Sequence, residues 1–163
     1  MSIYDTIDIL AKSNGFSKRH AGYLKIAYDE AMLSSFDGFS LGCIIVAGNK
    51  IIGRGHNSEK SSPVQKKYNL AYKPFRKGKY SNRQHSLHAE MAAINSCCNL
   101  EDKKNLRAYI VRASVGKDFG IGIASPCPAC AHALADVGVK EVIFSTDYGF
   151  ASSRLSVVDG LVI

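Results

Sequence analysis

LRAYIVRA (106–113), CPACAHALADVG (127–138) and KEVIFST (140–146) decide the fold between them. The outer two are short runs rich in branched and aromatic residues, which reads as strand. The middle one is rich in alanine, opens on Cys127-Pro128 and closes at Gly138, which reads as a helix with a proline in its first turn and a glycine stop. Strand, helix and strand in that order return to one sheet and predict an α/β layered domain.

The same alternation extends towards the N-terminus. SLHAEMAAINSCCN (86–99) reads as another alanine-rich helix ending at Asn99. LGCIIVA (41–47) and KIIGRGHN (50–57) are strands joined by Gly48-Asn49, a two-residue hairpin signal. Further upstream, Ile3, Ile7 and Leu10 lie at helical spacing and stop at Asn14-Gly15. A second helix starts at the N-cap candidate Ser17 and turns Ala21, Leu24, Ala27, Ala31 and Met32 inward. Residues 58–84 hold Pro63, Pro74 and Gly78 and show no periodicity, so they are expected to be a long loop inserted in the domain. The chain after Thr146 is too short for another parallel crossover. GFASSRLSVV (149–158) is therefore expected to be a final antiparallel strand, paired with 140–146 through a turn at Asp147-Tyr148-Gly149.

The chain has 163 residues, and neither a repeat nor a composition shift divides it; a single domain over 1–163 is expected, with an N-terminal helix over 1–15. No apolar run is long enough to span a membrane, and the acidic first residues do not resemble a secretion signal, so a cytoplasmic location is expected. Five cysteines, two of them the adjacent Cys97 and Cys98, make a poor disulfide framework and suit metal binding or catalysis in a reducing compartment. The net charge is +7, and 59–83 accounts for all of it. Its lysines and arginines alternate with Tyr68, Tyr72, Phe75 and Tyr80. Three readings fit: a track for single-stranded nucleic acid, a solvated loop, or a lid over a phosphate-bearing nucleotide. All three favour an anionic substrate.

Cys127 and Cys130 stand three apart at a helix start, where both sulfurs can face one point and the helix N-terminus favours thiolate. They could be a redox dithiol, or two ligands of a structural or catalytic metal. A catalytic zinc takes three protein ligands and keeps a fourth position open. His88 also opens a helix that follows a strand and loop, and two such helices side by side would bring their first turns together. Glu90, two residues on, would then sit beside the metal without ligating it. A dithiol leaves His88 and Glu90 idle, and a structural zinc needs a fourth ligand; Cys97 and Cys98 lie too far down their helix to supply one. Three ligands and a carboxylate suit hydrolytic attack on the amidine carbon of a base, with Glu90 carrying the proton.

HAE at 88–90 followed by PCPAC at 126–130 resembles the cytidine/deoxycytidylate deaminase superfamily. The resemblance implies that His88, Cys127 and Cys130 bind one zinc ion and that Glu90 shuttles protons. It also implies that Asn57 contacts the sugar and that groups near Ala89 and Ser125 read the base edge. It implies a three-layer α-β-α fold on a mixed five-stranded sheet, and assembly into homo-oligomers. Among the other histidines, His56 and His85 are expected in solvated loops, with pocket lining the alternative for His85, and His132 as packing or surface. Cys43, Cys97 and Cys98 are expected to be core thiols.

The subfamily is less marked. Ser125 and Leu87 depart from the residues usual in tRNA adenosine deaminases, and GHNS (55–58) and HAEMAAI (88–94) depart from the usual deoxycytidylate deaminase motifs. STDYG (145–149) resembles the loop by which DNA cytosine deaminases read a neighbouring base. The expected function is a zinc-dependent deaminase of cytosine in a nucleotide, dCMP-type. The alternatives are a deaminase acting on single-stranded DNA or RNA gripped by 59–83, and a non-catalytic zinc domain that binds nucleic acid.

Overall fold

The computed structural model describes residues 1–36, 38–72, 85–97, 100, 103–158 and 161–162. Two helices come first, α1 (Ile3–Ser13) and α2 (Lys18–Ala31), followed by the hairpin β1 (Ser40–Ala47) and β2 (Lys50–His56). Then come α3 (Pro63–Tyr72), α4 (Ala89–Ser96), β3 (Leu106–Ala113), the two-residue β4 (Ile121–Gly122) and α5 (Pro128–Asp136). The chain finishes with β5 (Val139–Ser145), β6 (Phe150–Arg154) and a small hairpin of β7 (Val157–Val158) and β8 (Leu161–Val162).

Local chemistry explains most boundaries. Ser2 and Asp5 form a reciprocal capping box at α1, and Ser17 caps α2 by accepting the His20 N–H. Gly48 takes the positive φ of 60° that the β1–β2 turn requires, with Ala47 paired to Lys50 across it. Met32, expected to face inward, is the exposed C-cap of α2.

The main sheet runs β2-β1-β3-β5-β6, and β4 adds a short sixth strand on the end of β3. β3 and β5 are parallel, as their helical crossover demands, and the other pairs are antiparallel. The last strand of the sheet, β6, is antiparallel to β5 as its short connection requires. Alternation along the strands gives the sheet two covered faces. Ile44, Val46, Tyr109 and Val111 meet α1 and α2 through Ile7, Ala21, Leu24 and Ala27. Cys43, Ile45, Ala108 and Ile110 meet α4 and α5 through Ala89, Ala93 and Leu134. Each fully buried Leu or Ile contributes about 1.5–3 kcal/mol relative to exposure, so these two layers carry the fold.

The approach of α4 is unusually close. A Cβ on Gly55 would lie 2.3 Å from the Ala93 nitrogen. A glycine on β2 is what lets the backbone of α4 rest on the sheet.

Residues 58–84 correct the expectation of an unbroken loop. Pro63–Tyr72 is helical, and the helix lies against α5 rather than in solvent. Its first turn uses Ser62, whose hydroxyl accepts the Gln65 N–H. Residues 73–84, with Phe75 and Tyr80, and the expected helix end at Cys98-Asn99 lie outside the described residues. Among the described residues no helix is long and apolar enough to cross a membrane.

Candidate metal centre

The sheet places one end of four strands together. Ser40 at the start of β1 pairs with Ala113 at the end of β3, and Gly42 pairs with His56 at the end of β2. β5 runs parallel to β3 and ends alongside. Helices α4 and α5 both begin at this edge, on the same face. Their first residues therefore meet there.

His88 is the N-cap residue of α4 but makes no capping bond with its side chain, so the imidazole is free to turn outward. Its Nδ1 lies 3.6 Å from Cys127 Sγ and 3.3 Å from Cys130 Sγ. Cys127 is the N-cap of α5, and its sulfur accepts the Cys130 N–H, with Pro128 following in the first turn. Among the described residues, these three form the one histidine, cysteine and carboxylate group whose ligand atoms all fall within 4.8 Å of one another.

The donor set fits zinc. With Zn–S of about 2.3 Å and Zn–N of about 2.0–2.1 Å, tetrahedral angles separate sulfur and nitrogen by about 3.6 Å. Both measured separations are near that value. The charges point the same way. The hydrogen bond with Cys127 and burial push the Cys130 thiol well above its usual pKa, and burial raises Glu90 while the nearby His88 opposes it. Two thiols and a carboxylate crowded beside one imidazole make a place that a divalent cation would neutralise. Zinc is the cofactor of this centre.

Glu90 is buried, at 4% exposure, and interacts electrostatically with His88, Cys127 and Cys130. Ala89 is buried in the first turn of α4, and Ser125 is exposed in the extended run before Cys127. Asn57 is 2% exposed, and its bonds stay within the chain. Its Oδ1 accepts from the Leu41 N–H at 2.9 Å and the Ser34 hydroxyl at 2.6 Å, and its Nδ2 donates to Phe39 O at 3.1 Å. Asn57 thereby ties Ser34, Phe39 and Leu41 to the end of β2.

Sequence reasoning missed Gln65 and Asn69, both fully buried on α3. Gln65 Oε1 accepts the His88 N–H at 3.1 Å, while Nε2 donates to Asn69 Oδ1 at 2.9 Å and approaches Cys130 Sγ at 3.9 Å. One amide thus touches two of the three candidate metal ligands. Asn69 Nδ2 lies 3.3 Å from Nδ1 of His85, which is half-buried rather than solvated. The signal was present as two amides spaced i, i+4, a helical neighbour pair.

The remaining candidates have structural roles. His56 lies 2.9 Å from Glu30. His132 is buried and stacks on Tyr72 with ring centroids 3.5 Å apart, and Tyr68 donates to Asp136 at 2.7 Å. Two of the four aromatics that suggested a nucleic-acid track are therefore spent on docking α3 against α5. Cys43 is a buried core thiol, and Cys97 is half-buried against β2.

A profile of the family described as "Cytidine and deoxycytidylate deaminase zinc-binding region" matches residues 17–146. A tRNA-specific adenosine deaminase from Rickettsia felis is 29% identical over 121 residues, which are 73% of this chain and 61% of that protein. The chain thus spans less than two thirds of that relative. The crystal structure of dCMP deaminase from the cyanophage S-TIM5 is similar with a TM-score of 0.50 and 21% identity, over 79% of this chain and 83% of that one. Cytidine deaminase from Burkholderia pseudomallei is similar with a TM-score of 0.52 and 14% identity, over 83% and 91%. These two likenesses are of fold.

Proposed function

This chain belongs to the cytidine and deoxycytidylate deaminase zinc-binding family, and from that premise we propose that it hydrolyses cytosine to uracil in a nucleotide, with a dCMP-type substrate. The observation that carries the reading is Glu90, a buried carboxylate that interacts electrostatically with every candidate zinc ligand. A structural zinc site has no use for such a group, and nor has a domain that only binds nucleic acid.

His88, Cys127 and Cys130 hold the zinc, which when bound supplies the Lewis acidity that makes a water nucleophilic near neutral pH. Glu90 takes the proton that the attacking water loses at C4 of the base. It delivers that proton to the ring nitrogen and assists departure of the exocyclic amine, so that cytosine and water give uracil and ammonia. In the metal-free chain burial raises the proton affinity of Glu90. Groups near Ala89 and Ser125 read the base edge. Asn57 offers the sugar the second N–H of its amide, beyond the one given to Phe39.

The second reading, deamination of a base within a polynucleotide, draws on the likeness to a tRNA-specific adenosine deaminase and on the basic segment 59–83. The packed Tyr68 and Tyr72 weigh against it. Zinc-loaded protein would be offered dCMP, a cytosine-containing single-stranded DNA oligonucleotide and an adenosine-containing RNA hairpin, with products read by mass. Conversion of dCMP to dUMP is the expected result. Conversion of the oligonucleotide or the hairpin with dCMP untouched would replace this reading with the second.

A further inference from the structure

We propose that the cleft lined by Arg112 and Lys117 is the seat for the 5′-phosphate of a mononucleotide substrate. The proposal rests on the nucleotide reading above and adds where the charged end of that nucleotide lies.

The cleft, of about 600 Å³, is lined by Phe36, Phe39, Arg112, Ser114 and Lys117 among others. It opens at the same sheet edge as the metal centre. Along β3, Ala108 and Ile110 face α4 and α5, so Arg112, two residues further, projects from that same face. The link to the zinc ligands is short. Arg112 N–H donates to Ser145 Oγ, and the Ala124 N–H donates to Ser145 O, each at 2.9 Å. From Ala124 the chain needs three residues to reach Cys127, a span of at most about 11 Å. In this arrangement the base sits at the metal centre and the phosphate in the cleft, both at the same end of the sheet.

Arg112 is held as though awaiting an acceptor. Its Nε is buried and, among the described residues, has no hydrogen-bond partner. Its side chain lies across Gly122, where a Cβ would come within 3.1 Å of Arg112 Cδ. The guanidinium carbon stands 5.6 Å from the centroid of the Phe39 ring, within cation–π range. A buried orphan donor is uncommon in a native protein and costs free energy until something accepts from it. The fork of an arginine matches phosphate oxygens in pairs. Lys117 brings a second cation to the rim, where it stands 3.9 Å from Asp147 and is more than half exposed. Two cations facing one cleft suit a phosphate monoester, which carries more charge than a diester.

Binding of dUMP and of deoxyuridine to the zinc-loaded protein, measured by calorimetry at fixed salt, tests this without turnover. The phosphate should tighten binding roughly ten- to a hundredfold. Arg112→Gln should remove most of that preference and leave deoxyuridine affinity and zinc content unchanged. Lys117→Gln, on an exposed loop, should remove part of it and guards against misfolding of the first variant. Equal affinity for the two compounds, or a preference kept in both variants, would overturn the seat. So would a deoxyuridine-containing trinucleotide that binds more tightly than dUMP and loses that advantage in the same variants. Inosine monophosphate and inosine would run in parallel. An Arg112-dependent preference for that pair alone would uphold the seat and instead sink the cytosine reading.

Discussion

The first turns of α4 and α5 and the body of α3 meet at one metal centre, yet they carry opposite kinds of information. His88, Glu90, Cys127 and Cys130 open two alanine-rich helices, α4 and α5. Helix α3 buries Gln65 and Asn69 instead, and sets Tyr68 and Tyr72 against polar groups of α5. Reactive residues are legible because few residue types can do their chemistry. Supporting residues are legible only if their burial leaves a hydrophobic period, and the buried face of α3 is made of amides.

Breaking the reactive half should cost most. Replacing Cys130 with serine should abolish zinc binding, as read by metal content after dialysis, because the thiolate supplies one of only three protein ligands. Glu90→Gln should keep the zinc and lower kcat by a factor of roughly 10² to 10⁴. Breaking the supporting half should cost less and through the metal. Gln65→Leu should weaken zinc affinity about 10- to 100-fold in a competition with a chelator, the usual range for partners that orient metal ligands. A full-strength site in Gln65→Leu would reduce α3 to packing. Smallest is Tyr68→Phe, which removes the hydroxyl given to Asp136 and should lower stability by about 0.5–1.5 kcal/mol in denaturant titration.

Proton linkage sharpens the comparison within the site. Burial raises the pKa of Glu90 above its ordinary 4.5. The folded, metal-free protein therefore binds a proton there more tightly than the unfolded chain does. This contribution to stability is complete below the unfolded value and is lost as pH rises through the folded one. Stability of the metal-free protein should fall over that window, and Glu90→Gln should flatten the slope. A slope unchanged by the substitution would mean that another group causes it.

The layered fold was legible from period and punctuation. The strands 106–113 and 140–146, the helix between them and the antiparallel last strand follow from residue pattern and from the length of chain available. The sixth strand was not, because two residues of β4 are too few to show alternation. Nor was α3, whose mean composition is polar and whose proline at 63 reads equally as a loop breaker or a helix opener. In the sequence Arg112 is one more charge at the end of a strand. Only its place on the metal-bearing face, with Nε buried, sets it apart.

The most direct test of the central claim pairs Glu90→Gln with the unaltered protein, both loaded with zinc, in a dCMP assay with metal content determined on the same samples. The account predicts equal zinc in the two, dUMP from the unaltered protein and almost none from the variant. Equal dUMP from both would remove Glu90 from the chemistry and contradict the mechanism.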